Sequence, residues 1–372
     1  MKPKILIDSI SLMSSLTGIG RYTYEIAKKI EIKKDFECNY FYGYYSKELL
    51  HLSAGKEVKS LKSFIVKNSF IKKFVRTMLL NLSRLSLNKY DLYWQPNFMP
   101  NNGIKAKKIV TSVHDFSFIL HKDFHPKERI EYFEKYFFKN IVKSDAIITG
   151  SEFSKREILE RLDFKDEDVH IIYHGIDHEL FKVYDDLNIG FDLPKKFIFS
   201  VGSIEPRKNL IGLLKAYNLL SNEIKDEYKL VLAGFKGWGN DEIMNIINKN
   251  KENIIYLGFI SDIELAKVYN LSSCFVFPSF YEGFGLPVLE AMACGTPVVC
   301  SDASSIPEVG GDAVVYCNPY EIEDIKNKIE FVLNDNPLQE DMIKKGLERA
   351  KLFSWEKSAD EHMRIFREVL NK

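Results

Sequence analysis

Two glutamates eight positions apart, Glu282 and Glu290, frame the segment FYEGFGLPVLEAMACGTPVV (280–299). Gly283, Phe284, Gly285 and Leu286 lie between them, and Pro287 follows. Proline lacks the backbone N–H that a first helical turn leaves unpaired, so Pro287 fits the first helical position, and Gly295 is a suitable left-handed stop. A glycine loop that opens a helix presents backbone amides to an anion or to sugar oxygens. A carboxylate beside it accepts hydrogen bonds from paired hydroxyls, as on the ribose of dinucleotide cofactors. Each glutamate can also serve the helix start through its dipole.

Three further clusters carry chemistry. In SVGSIEPRKNL (200–210), Arg207 and Lys208 stand immediately before a helical pattern. Cations are disfavoured at the positive end of a helix, so two together point to an anion sharing the site, and a diphosphate suits such a clamp. In SSLTGIGRYTYEIAKKI (14–30), Gly18 and Gly20 form a short glycine turn able to bring amides to a phosphate. The dinucleotide fingerprint wants a third glycine where Thr23 stands, which argues against nicotinamide chemistry. His114, followed by Asp115, closes the strand-like run KIVTSV. A histidine there can donate to a sugar hydroxyl, move a proton, or simply hold structure.

The elements that must position these residues read as an α/β protein. In the second half, KFIFSVG (196–202), YKLVLAG (228–234), IIYLGF (254–259), CFVFPS (274–279), PVVCSD (297–302) and AVVYCN (313–318) are nearly continuous apolar runs. Such runs suit parallel strands covered on both faces. Helical patterns at 209–220 and 262–270 alternate with them, which implies right-handed βαβ units in a doubly wound sheet. The first half repeats this less regularly, with strands expected at 3–8, 38–43, 90–95, 108–115, 145–150 and 169–175, and helices at 20–30, 127–143 and 153–161. The polar stretch 183–196 separates two Rossmann-like domains, 1–182 and 196–352. The segment 353–372 reads as a separate amphipathic helix. A ligand between two such sheets sits beyond the carboxyl ends of the strands.

The bulk composition excludes some classes. The chain has 372 residues, with 52 basic and 52 acidic side chains, so no global field recruits nucleic acid. No run is long enough for a signal peptide or a membrane span, which predicts a cytoplasmic protein. The five cysteines form no CxxC pair and are expected to be buried thiols in a reducing compartment. Residues 56–89 hold nine basic residues and one acid, and the stretch 69–87 mixes large apolar residues with cations. That composition predicts either peripheral contact with an anionic membrane or a domain helix with a solvated basic face.

Taken together, TGIGRY, the His114-Asp115 pair, ITGSEFS, HGID (174–177), EPRKN, EGFGLPVLEAMACGTPVV, the IPEVGG turn (306–311) and the terminal FSW (353–355) resemble retaining glycosyltransferases of family 4, which have the GT-B fold. The resemblance spans nearly the whole chain and implies a nucleotide-diphosphate sugar as co-substrate, with no cofactor and no metal. By this resemblance Arg207 and Lys208 hold the diphosphate and Glu290 holds the ribose. Glu282 and the amides of Gly283, Phe284, Gly285 and Leu286 address the donor sugar. Gly20, with Gly18 beside it, lies near the donor phosphate, and His114 contacts the transferred sugar. His114, Glu282, Arg207 and Lys208 are thus the catalytic candidates. The resemblance favours GDP-mannose as donor, a glycan or lipid-linked acceptor, and polysaccharide or lipopolysaccharide synthesis. It also implies that the terminal helix returns to the first domain. A nucleotide-sugar epimerase on the same fold, or a non-catalytic nucleotide-sugar binder, would share the diphosphate site.

Overall fold

The computed structural model describes residues 2–13, 18–50, 89–235 and 241–372. Most of the basic segment 56–89 lies outside the described residues; only Lys89 falls within them.

Two parallel sheets follow from the two sets of apolar runs. The first contains β1 (Lys4–Asp8), β2 (Glu37–Phe41), β3 (Tyr45–Ser46), β4 (Tyr90–Gln95), β5 (Ala106–Ser112), β6 (Ala146–Thr149) and β7 (Val169–Ile171), in the order β3-β2-β1-β4-β5-β6-β7. Among the described residues only the β2–β3 pair is antiparallel. β3 is an addition to the expected strands, two residues long and set by the turn after Phe41. The second sheet contains β8 (Phe197–Val201), β9 (Lys229–Ala233), β10 (Ile254–Gly258), β11 (Cys274–Phe277), β12 (Val298–Ser301) and β13 (Val315–Cys317), in the order β10-β9-β8-β11-β12-β13. Every residue of β6, β11 and β12 is buried, which is why these runs do not alternate with polar residues. In each sheet the chain winds outward from a central strand and then restarts on its other side. The winding reverses between β1 and β4 and between β8 and β11, and at such switch points the loops part and leave a crevice.

The helices that matter for the site are α1 (Gly18–Lys33), α2 (Lys127–Ile141), α3 (Glu152–Arg161), α4 (Leu210–Leu219), α5 (Asp262–Leu271), α6 (Leu286–Ala293), α7 (Ile306–Gly310), α8 (Ile322–Leu333), α9 (Asn336–Ala350) and α10 (Trp355–Asn371). Three expectations change. Gly18 and Gly20 do not sit in an open glycine turn; they belong to the first turn of α1, and Gly20 is buried. IPEVGG is a short helix, α7, that only then turns at Gly311. Pro287 is the second residue of α6, because Leu286 already starts the helix.

The last helix crosses back. Trp355, Ala359, Met363 and Phe366 of α10 join Ile5, Ile7, Tyr22 and Trp94 in one core of the first domain. The opposite face of that sheet packs Phe116, Phe118, Phe133 and Phe137. Where the returning chain passes residues 174–177, Ile176 bridges to Ser354, and a Cβ on Gly175 would stand 2.0 Å from the Trp355 nitrogen. No side chain fits that crossing. Cys274, Cys294, Cys300 and Cys317 are buried and Cys38 is half-buried, all as free thiols. Burial pushes Cys274 and Cys317 up to about 12, which makes them poor nucleophiles.

Candidate functional site

The clusters that the sequence separates by 75 residues meet at the switch point of the second sheet. β8 runs into a short turn, Pro206–Lys208, and β11 runs into the glycine loop before α6. Asn209 ties these strand ends together. It adopts a left-handed conformation (φ 53°), caps α4 by accepting the Gly212 N–H, and donates to the carbonyls of Pro278 (3.1 Å) and Pro319 (2.7 Å). The loops that follow β8, β11 and β13 are thereby tied together.

Glu282 receives both cations. Arg207 donates to its carboxylate at 2.7 Å, and Lys208 donates to the other oxygen at 2.7 Å. Arg207 also forks to Glu205 (2.9 Å) and to the Tyr281 carbonyl (2.8 Å). Burial alone would raise the Glu282 carboxyl, but Arg207 and Lys208 outweigh it and hold the group down at about 2. Burial likewise opposes the Arg207 charge, and Glu282 and Glu205 more than restore it. Among the described residues, Arg207 uses three of its five N–H donors and Lys208 one of its three. Two donors therefore stay available on each.

The loop after Glu282 is built from backbone. Gly285 sits at φ 112° as the residue capping α6, with no side-chain cap. Ser305 donates to the carbonyls of Glu282 (2.8 Å) and Phe284 (3.1 Å), and the Glu282 amide donates to Ser304 (2.9 Å). Phe284 is buried with its ring 4.9 Å from that of His174. Leu286 meets the first turn of α1 across the cleft: a Cβ on Gly18 would lie 3.9 Å from it.

Glu290 stands apart from Glu282. Tyr269 donates to it at 3.2 Å, and burial raises its carboxyl above the ordinary range while Arg21 opposes that rise. Arg21 comes from α1 in the first domain and bridges to Asp262 at the start of α5 at 2.5 Å. It is a residue of the cleft that sequence reading passed over, although it stands next to Gly20. Asn209 was passed over as well, and its signal was an Asn immediately before an apolar helix.

His114 follows β5 by two residues. Its ring is buried, and Nε2 donates to the Pro96 carbonyl at 2.8 Å, since a carbonyl can only accept. That nitrogen is engaged within the first domain. The ring meets Tyr22 edge-on at 5.0 Å, and burial lowers its affinity for a proton. The His114 carbonyl does face the site: a Cβ on Gly283 would stand 2.1 Å from it.

Behind this loop a polar chain ties α10 to the first sheet. His362 Nδ1 lies 2.7 Å from the Ser358 carbonyl and so carries the hydrogen. Nε2 then accepts from Tyr22 (2.6 Å), Tyr22 accepts from Ser112 (2.8 Å), and Ser112 accepts from Trp94 Nε1 (3.1 Å). Protonating His362 would turn the Tyr22 hydroxyl from donor to acceptor at Nε2 and send its hydrogen towards Ser112. Burial, joined by His114, pushes the His362 pKa down to about 4, against the Ser358 contact. A depressed folded pKa means that stability is whole above about 6.5 and drains as pH falls towards 4, by at most about 3 kcal/mol. Asp8, raised by burial to about 6 against hydrogen bonds from Tyr93, the Ile10 amide and Gln95, acts in the opposite sense over part of that window. The effect is therefore read as a difference: His362→Gln is expected to flatten the fall of Tm between pH 6.5 and 4. An unchanged slope would show that His362 does not titrate on unfolding.

Comparison with known proteins places this geometry. Residues 16–180 match the family model for Glycosyltransferase Family 4, and residues 186–349 match that for Glycosyl transferases group 1. Over 373 aligned residues the chain is 32% identical to the O-antigen chain mannosyltransferase B of Escherichia coli, covering 95% of this chain and 96% of that one. The chain belongs to the family 4 glycosyltransferases. This glycosyltransferase is also 34% identical to the serotype-specific mannosyltransferase WbdA of Escherichia coli, over 68% of its own length and 32% of WbdA. In structure it superposes on sucrose-phosphate synthase from Thermosynechococcus elongatus with a TM-score of 0.71, 19% identity and full coverage of both chains. It superposes on Anabaena HepE in complex with UDP-glucose with a TM-score of 0.71 and 16% identity, covering 98% of this chain and 100% of that one. These likenesses establish the GT-B fold, two Rossmann-like domains facing across a cleft.

Proposed function

We propose that the enzyme transfers mannose, with retention of configuration and without a metal ion, from GDP-mannose to a glycan or lipid-linked acceptor in the cytoplasm. The observation that carries this reading is the pair Arg207 and Lys208, fixed at the switch point by Glu282 and still holding two unused donors each. Four N–H groups at one place match the oxygens of a diphosphate. They would stabilise the charge that grows on the leaving group as the glycosidic bond breaks, and this is the role a metal would otherwise fill. Glu290, half-buried beside Tyr269, would take the ribose hydroxyls. Glu282 and the loop to Leu286 would orient the sugar. The names of the two Escherichia coli relatives support mannose and point to surface-polysaccharide synthesis.

A screen of the purified protein against GDP-, UDP- and ADP-sugars, with NMR of the first-formed product, tests the whole reading. Turnover of GDP-mannose to an α-linked product is expected, with the rate unchanged by a chelator. A β-linked first product would overturn retention. Loss of activity in chelator, restored by a divalent ion, would show that the two cations do not neutralise the leaving group alone.

A further inference from the structure

Glu157 is a buried carboxylate of the first domain that touches none of the donor-site candidates. It lies on α3, and what it holds is the hydroxyl of Tyr281, the residue before Glu282 in the second domain. Burial raises the Glu157 carboxyl, and the Tyr281 hydrogen bond is what chiefly counters the rise. The same Tyr281 oxygen accepts the Phe116 N–H at 2.9 Å. On the other side of Glu282, the Gly283 carbonyl accepts from Ser151 at 3.0 Å, and Gly283 lies against the His114 carbonyl. The residues before and after Glu282 are thus both fastened to the first domain, while Glu282 itself is held by Arg207 and Lys208 of the second. Residues 114–116 serve both fastenings.

We infer that Glu157 and Tyr281 are a positioning pair, which transmits the approach of the first domain to the placement of the Glu282 carboxylate. The inference rests on the reading of Glu282 as a donor-sugar residue. The bond is made across the cleft, so it exists only when the domains are together. Closure then does two things at once: it excludes water and sets the reactive geometry. Tyr281 also turns its own carbonyl to Arg207, but Glu205 and Glu282 hold that guanidinium as well, so loss of the hydroxyl bond leaves the clamp in place.

The test uses the full chain, Tyr281→Phe, Glu157→Gln and the double variant, with whichever nucleotide sugar the unaltered chain turns over. Each single variant is expected to lower kcat by about 10- to 100-fold, because a small misplacement of a reacting group has effects of that size. Donor Kd by calorimetry should be unchanged, and the double variant should be no worse than the poorer single, since the two act as one contact. Hydrogen exchange of residues 280–285, measured without any donor, should speed up in both. That arm stands whichever sugar proves to be the donor, so it separates failure of this inference from failure of the proposed activity. Unchanged kcat, additive losses, unchanged exchange, or a donor Kd that weakens in step with kcat would each overturn the positioning role. If Glu157→Gln does not fold, Tyr281→Phe, which keeps the ring, carries the same expectations for kcat, Kd and exchange.

Discussion

Arg207→Ala is expected to weaken donor binding by about 10- to 150-fold, the value of a hydrogen bond to a charged group. It should also lower the melting temperature, whereas Lys208→Ala should weaken binding and leave the fold intact. The difference follows from what each cation leaves behind. Removing Arg207 strips the Glu205 carboxylate of its cation and Glu282 of one of two, in a place where both are buried. Breaking a buried ion pair from one side costs about 3–5 kcal/mol, because the orphaned charge stays desolvated. Removing Lys208 leaves Arg207 on Glu282. Adding Glu205→Gln to Arg207→Ala should therefore recover part of the lost melting temperature and none of the donor affinity. Calorimetric titration with the donor, beside thermal melts of the same preparations, reads both effects. Unchanged affinity in both single variants would remove the clamp.

The apolar runs of the sequence match twelve of the thirteen strands among the described residues, because a parallel strand buried on both faces needs an apolar segment and few other elements do. The exception, β3, has two residues and no periodicity to detect. The glycine loop, the two glutamates and the two cations were legible because their residue types are unusual where they stand: glycines before a helix, cations at its positive end. Their connection was not. Nothing local in EPRKN or FYEGFG says that Glu282 receives both Arg207 and Lys208. That contact depends on β8 and β11 being neighbours, a property of strand order. Arg21, Asn209, Glu157 and His362 escaped for the same reason. Each acquires its meaning from a partner well outside its own segment: Asp262, Pro319, Tyr281 and Tyr22 respectively. His114 has a hidden partner of the same kind. Its place at a strand end does not reveal that one ring nitrogen, Nε2, is taken by the Pro96 carbonyl.

The two glutamates should separate in kinetics, and the sense of the separation follows from their partners. Glu282→Ala is expected to lower kcat by about 100-fold or more, because the group that orients the donor sugar and fixes both cations is lost. Donor affinity should hold or tighten. Without Glu282, Arg207 keeps Glu205 but Lys208 keeps no carboxylate, and the cluster becomes more positive towards a diphosphate. Glu290→Ala should do the reverse, raising donor Kd by about 10-fold, the cost of one good hydrogen bond to a charged group, with kcat nearly preserved. The pH dependence supplies an independent check. With its carboxyl held at about 2, Glu282 is ionised throughout the working range. Its contribution to stability is complete above about 4.5 and is lost only as pH falls through 2. Any acid limb in the rate between pH 5 and 7 must then arise elsewhere, and it should survive in the residual activity of Glu282→Gln. If that limb disappears with Glu282, the carboxylate titrates in the working range and is not held by the two cations. If Glu282→Ala instead loses donor binding as Glu290→Ala does, the two carboxylates share one role in binding and the orienting function belongs to another group of the loop.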